Sequence, residues 1–318
     1  MLIESFRITG GAVAQIFILG AVGFFLVKRG ILSQEGLASL SRIVIEVIFP
    51  VLIFTQLMKN FSFAVYQNWW IFPLISVAVT LFGVLTGSLF SLFVRGQEYK
   101  MQFLSLVTFQ NSGYLPLAIV AAMLSGANLD TMFIYIFLFL LGFDLIVWSI
   151  GVYMLAFVKT KKFELGSLFS PPIIADIISL LIIFFGINKY IPEVVMKPLG
   201  MIGNCTLPLA MFIVGGNIAC IRLEHINKKA MLLLSIAKLV LMPTIGFLLI
   251  YQFKLPVLLG LLILMQLAMP SATSLSVIIR HYKKEDLLIS QGVFVSHLLS
   301  LITVPIFLSL YLTLVMVK

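Results

Sequence analysis

Apolar residues run along this chain in blocks of about twenty, separated by short polar segments. That length suits a helix crossing a bilayer and is too long for a strand. The pattern predicts ten spans, at roughly 8–27, 39–58, 69–94, 101–124, 131–158, 171–190, 198–220, 230–252, 256–279 and 288–314. Pro171-Pro172 marks the start of the sixth, because proline is welcome in a first helical turn. Two blocks are interrupted at mid-depth by polar residues beside a proline. One reads Thr108-Phe109-Gln110-Asn111-Ser112-Gly113-Tyr114-Leu115-Pro116, and the other Gln266-Leu267-Ala268-Met269-Pro270-Ser271-Ala272-Thr273-Ser274. Lipid offers backbone groups no hydrogen bonds, so broken helices persist there only beside protein or a watery cavity. A pair of such breaks in corresponding halves points to a transporter's substrate site.

Composition narrows the class. The chain has 318 residues, 61% hydrophobic and 10% charged, against about 25% charged in a soluble domain. The run Ile8–Val27, followed by Lys28 and Arg29, reads as a first span and not a cleaved signal. The net charge of +9 sits in short loops, which argues against a nucleic-acid partner. Cys205 and Cys220 lie on one predicted helix, roughly 22 Å apart, too far to bridge.

Charge also sets orientation. Loops after the odd-numbered spans carry fourteen Lys or Arg, among them Lys28, Arg95, Lys159, Lys161, Lys162, Arg222, Lys283 and Lys284. The opposite side carries six: Arg7, Lys59, Lys189, Lys197, Lys254 and Lys318. The positive-inside rule then puts both termini on the non-cytoplasmic side of the cell membrane. Ten spans split into five and five, residues 1–158 and 159–318, and an odd number inverts the second half. Pro50 and Pro208 are 158 residues apart, and Pro116 and Pro270 are 154 apart, nearly a constant offset.

Gln110, Asn111, Ser112, Gly113, Tyr114 and Pro116 form one candidate substrate-binding group, and Pro270, Ser271, Thr273 and Ser274 the other. Each precedes or begins a half-helix whose free N–H groups and positive dipole end suit an anion. Asp144, the deepest acid, and Lys238 are the candidate coupling residues, because ionisable groups inside spans are functional by default. They are expected either to pair with each other or, for Lys238, to snorkel to the surface. Glu46 and Asp176 read as interfacial or paired acids, and His297 as a packing residue or a proton relay. Phe133–Phe143 reads as lipid-facing or packing surface, and Tyr66, Trp69 and Trp70 as an interfacial belt.

No phosphate-binding GxxxxGK[ST], metal-spaced Cys/His cluster, HExxH or GxSxG occurs, so no enzyme, cofactor or metal site is expected.

The segment AMPSATSLSVIIRHYKKEDLLISQGVFVSHLLSLITVPIFL resembles the closing segment of the auxin efflux carrier family, which includes bacterial malonate and malate permeases. NSGYLPL, VIFPVLIF and TLPLAMFIVGGNI resemble its fourth, second and seventh spans. The resemblance implies an all-α membrane protein of the NhaA/PIN-like kind. It would have ten helices in two inverted five-helix repeats, with discontinuous helices four and nine crossing. It further implies elevator-like alternating access, a small organic anion as substrate and a homodimer. By motif, Asn111, Gly113, Pro116, Pro270, Ser271 and Thr273 would surround the substrate. Many relatives have a second glycine before the fourth-span proline, where this chain has Tyr114-Leu115. Two further functions stay open: a sodium- or proton-coupled symporter or antiporter, and a receptor that does not transport.

Overall fold

A computed structural model describes residues 2–151, 154, 169–221, 226–281 and 287–316. The helices are, in chain order, α1 (Leu2–Lys28), α2 (Gln34–Asn60), α3 (Ile71–Ser91), α4 (Gln97–Thr108), α5 (Tyr114–Met123) and α6 (Gly126–Gly151). There follow α7 (Pro171–Phe184), α8 (Glu193–Ala219), α9 (Lys228–Phe253), α10 (Val257–Ala268), α11 (Ser274–His281) and α12 (Leu287–Val315). Seven of these are long and apolar enough to cross a membrane: α1, α2, α3, α6, α8, α9 and α12. The division expected at 158/159 lies outside the described residues. So do Lys159, Lys161, Lys162, Arg222, Lys283, Lys284 and Lys318.

Several long helices carry a π-helical turn, and two of these have a local cause. Val44–Ile48 precedes Pro50, and Ser235–Leu241 precedes Pro243. A proline has no N–H for the carbonyl four residues back, so the bonding register slips by one residue there.

Lipid tails are as apolar as leucine, so helix association rests on close packing and on cross-helix hydrogen bonds. Glycines make the closest approaches. A Cβ on Gly215 of α8 would run into the Gly20 carbonyl of α1, and one on Gly23 into the Phe212 backbone. On α3, a Cβ on Gly83 would lie 2.9 Å from the Thr108 Cα. Of the seven long helices, α6 is the most enclosed: Phe133, Phe137, Phe139 and Phe143 are all buried, so this run is packing surface. Ile18 and Phe25 of α1 and Leu81 and Leu85 of α3 face outward, where lipid would meet them. Glu46 pairs with Arg42 at 2.8 Å, one turn away on the same helix.

Candidate functional site

The two polar breaks lie against each other. Phe109 and Met269 are extended, so the chain leaves α4 and α10 as short strand-like segments. Gln110 and Ser271 form an antiparallel bridge. The Asn111 N–H donates to the Pro270 carbonyl at 2.8 Å, and the Ala272 N–H to the Phe109 carbonyl at 2.9 Å. Proline can only accept in such a ladder, which is what Pro270 does. The Gln266 amide nitrogen adds a bond to the Ser112 carbonyl at 3.1 Å.

The C-terminus of α4 explains three more residues. A helix leaves its last four carbonyls without intrahelical partners, here Ser105 to Thr108. The Phe109 N–H donates to Ser105, the Ser271 hydroxyl to Leu106 at 2.7 Å, and the Lys238 ammonium to Val107 at 2.7 Å. Lys238 is fully buried on the π-helical turn of α9, with its charge at the negative end of the α4 dipole. It therefore neither snorkels nor pairs with Asp144. Among the described residues the ion pairs are Arg42–Glu46 and Lys197–Glu193. The physical reason is local, since helix-end carbonyls supply the partial negative charge that a carboxylate would otherwise give.

Other polar groups at the crossing have no partner. Both side-chain amide atoms of Gln110, the Asn111 Nδ2, the Thr108 hydroxyl, the Gln266 Oε1 and the Ser276 hydroxyl are buried and unbonded. Each such group costs about 1–3 kcal/mol, so a cluster of them calls for a ligand or a mechanism. Asn111 Nδ2 and Gln110 Nε2 are donors, as are the Tyr114 and Leu115 amides that open the first turn of α5. Pro116 contributes no N–H at the third position, and the Leu117 N–H is taken by the Gly113 carbonyl at 3.0 Å. The arrangement offers an anion several neutral donors and one nearby ammonium.

The expected residues thus separate into kinds. Gln110, Asn111, Ser112, Pro270 and Ser271 are buried at the crossing, while Gly113, Tyr114, Thr273 and Ser274 are half-buried around it. Pro116 is buried two positions into α5, so it is not the counterpart of Pro270, which lies inside its break. The Ser271 hydroxyl hydrogen is committed to Leu106, leaving only lone pairs for another partner. Asp144 is half-buried on α6 and takes part in neither of the two ion pairs found among the described residues.

A model of the family described as membrane transport proteins matches residues 9–165 and 154–308. The chain belongs to this family, the one whose span motifs it resembles. Two archaeal relatives are similar over nearly their whole length. An uncharacterized transporter of Methanocaldococcus jannaschii is 27% identical over 304 residues, 92% of this chain and 95% of its own. An uncharacterized transporter of Methanothermobacter thermautotrophicus is 24% identical over 302 residues, with 92% and 95% covered. The family is one of multi-pass membrane transporters, not enzymes.

Within this membrane transport protein, sequence reasoning undervalued Asp176. It is 1% exposed, and its Oδ1 has no partner. Helix α7 packs against α2 and α6, and Asp176 belongs to its buried residues. Ser179, one turn on, is also buried with an unbonded hydroxyl. The signal was available: residues three apart share a helix face, and both are polar in an otherwise apolar run.

Proposed function

We propose that this membrane transport protein carries a small organic anion, a carboxylate, across the cell membrane by alternating access, with the anion bound at the crossing of the two breaks. The observation that carries this reading is Asn111, whose buried Nδ2 is an unbonded donor immediately before the α5 N-terminus. Neutral donors and a helix dipole hold an anion without a dehydrated arginine beside it. Lys238, beneath the crossing, adds attraction at longer range.

In this reading the ten spans are two inverted five-helix repeats, in which α4 with α5 and α10 with α11 each make one discontinuous span. Helix spacing supports it. The starts Gln97 and Val257, the ends Thr108 and Ala268, and the restarts Tyr114 and Ser274 are each 160 residues apart. The starts of α2 and α8, Gln34 and Glu193, are 159 apart, those of α3 and α9, Ile71 and Lys228, are 157 apart, and those of α6 and α12, Gly126 and Leu287, are 161 apart. The fourteen-to-six bias of basic residues supports non-cytoplasmic termini. An elevator-like shift of one bundle against the other and a homodimeric assembly complete the proposal, both taken from the resemblance. An inside-negative potential would drive the anion outward by about 2.3 kcal/mol per charge per 100 mV.

One observation favours a coupled version. Asp176 is buried with an unbonded oxygen. A buried carboxylate without a partner is a site for a proton or a sodium ion. Flux in proteoliposomes tests both readings. Carboxylate uptake that follows an imposed potential, with pH and sodium equal on both sides, supports uniport. Uptake that requires a proton or sodium gradient supports coupling. A folded, correctly inserted protein that binds carboxylate and moves none would be a receptor.

A further inference from the structure

A cavity of about 330 Å³ lies at the end of the helices where α3 stops and α9 starts. Phe93, Arg95 and Tyr99 line it from the first half of the chain, and Asn227, Lys229 and Leu233 from the second. Arg95 belongs to the turn between α3 and α4, and Lys229 to the first turn of α9, so cations from two separate elements border one space. Neither takes part in an ion pair among the described residues. Glu98 precedes Tyr99 in the first turn of α4, but it does not line the cavity. Two cations gathered without an acid between them repel each other, and a bound anion relieves that repulsion. The lining residues add two neutral donors. One is the Tyr99 hydroxyl. The other is the Lys229 N–H, which precedes the first intrahelical bond of α9, from the Met231 N–H to the Asn227 carbonyl. The twelve residues of α4 separate this cavity from the crossing, roughly 18 Å along the helix.

We infer that this cavity holds the headgroup phosphate of an anionic phospholipid, with Arg95 and Lys229 on the phosphate oxygens and the acyl chains along the outward apolar residues of α3 and α9. A free phosphate shares the headgroup's chemistry, and the surroundings decide for lipid. Leu85, Leu89 and Leu92 recur at helical spacing toward the end of α3, and Leu232, Ile236 and Val240 follow the start of α9; all six are largely exposed. The two helices touch, so both apolar stripes run from the cavity into the bilayer. Phe93 and Tyr99 are also exposed, and such aromatic residues sit at headgroup level. A choline or ethanolamine headgroup would bring an ammonium beside two cations, so the fitting headgroup is one without an amine, such as phosphoglycerol. Basic pockets between spans recognise headgroups of this kind. The general excess of basic loop residues does not explain the cavity, because Lys28 and Arg29 follow α1 at the same membrane face and do not line it. The site is separate from the proposed carboxylate site and stands whether or not the chain carries carboxylates.

The test is native mass spectrometry of the purified full-length protein released from detergent micelles, with phosphatidylglycerol or phosphatidylcholine of the same chains added. The natural protein should retain phosphatidylglycerol about tenfold better. A basic residue beside the membrane surface is worth about fivefold in affinity for an anionic lipid. Arg95→Gln and Lys229→Gln should therefore each weaken retention about fivefold, and the double variant about 25-fold. Arg29→Gln, exposed at the same face and outside the cavity, should leave retention unchanged. Gel filtration checks that each variant is folded. Should one fail to fold, a photoactivatable phosphatidylglycerol on the natural protein decides, with labelling expected between Phe93 and Tyr99 or in the first turns of α9. Millimolar glycerol phosphate should not displace the lipid; displacement would make this a site for a soluble phosphate and overturn the lipid assignment. Equal retention of the two lipids, an equal loss in Arg29→Gln, or labelling elsewhere would also overturn it, leaving a diffuse attraction of the basic face.

Discussion

Replacing Ser271 with alanine removes one hydroxyl from the point where the breaks cross. That hydroxyl donates to the Leu106 carbonyl at 2.7 Å, and Ser271 is fully buried. The carbonyl belongs to the end of α4, where no intrahelical donor is available. Its loss strands a buried acceptor, which costs about 1–3 kcal/mol, or a factor of roughly 5 to 150 in the folding equilibrium. The void left by one oxygen is small and adds little. The backbone bonds from Asn111 to Pro270 and from Ala272 to Phe109 remain, so the variant should still fold. Unfolding in mixed micelles, followed by tryptophan fluorescence, gives the difference directly. Ser274→Ala is the control, because that side chain is half-buried and a surface-like change stays within about 0.5 kcal/mol. Equal stability of the two variants would refute the view that Ser271 ties the breaks together.

Gly83→Val should destabilise by about 1–3 kcal/mol in the same assay, because even a Cβ there lies 2.9 Å from the Thr108 Cα and α3 must move off α4. Lys238→Met should leave stability nearly unchanged, since the lost bond to Val107 is offset by one fewer dehydrated charge. Anion flux through that variant should fall about 15- to 20-fold, taking ~10 Å and an effective dielectric of about 20, for ~1.7 kcal/mol. Asp176→Asn should remove any dependence of uptake on a proton or sodium gradient while leaving potential-driven flux intact, as measured with ion gradients across the same vesicles.

Much of this architecture was legible because the bilayer imposes it. Apolar runs of about twenty residues mark the long helices, and polar residues inside two of them mark the breaks. The register of the breaks was not legible from proline alone. Pro116 and Pro270 are 154 residues apart, but the helix ends around them are 160 apart, because Pro116 sits inside α5 and Pro270 in the loop. Proline is tolerated in either place: at the third helical position its missing N–H would be unbonded anyway, and in the ladder it only accepts. The facing of each helix was hidden for another reason. Lipid and protein core are both apolar, so helices such as α7 and α12 carry little amphipathic pattern to orient them. Asp176 therefore read as an interfacial or paired acid, although it is buried with an unbonded oxygen. Likewise the partner of Lys238 is a main-chain carbonyl, which composition does not reveal.

The most direct test of the central claim is flux of radiolabelled small carboxylates, malonate, malate and indole acetate among them, into proteoliposomes under an imposed potential, with the natural protein beside Asn111→Ala. The account predicts saturable, potential-dependent uptake of at least one carboxylate by the natural protein and its loss in the folded variant. Equal uptake by the two proteins would contradict the placement of the anion at Asn111 and with it the proposed site.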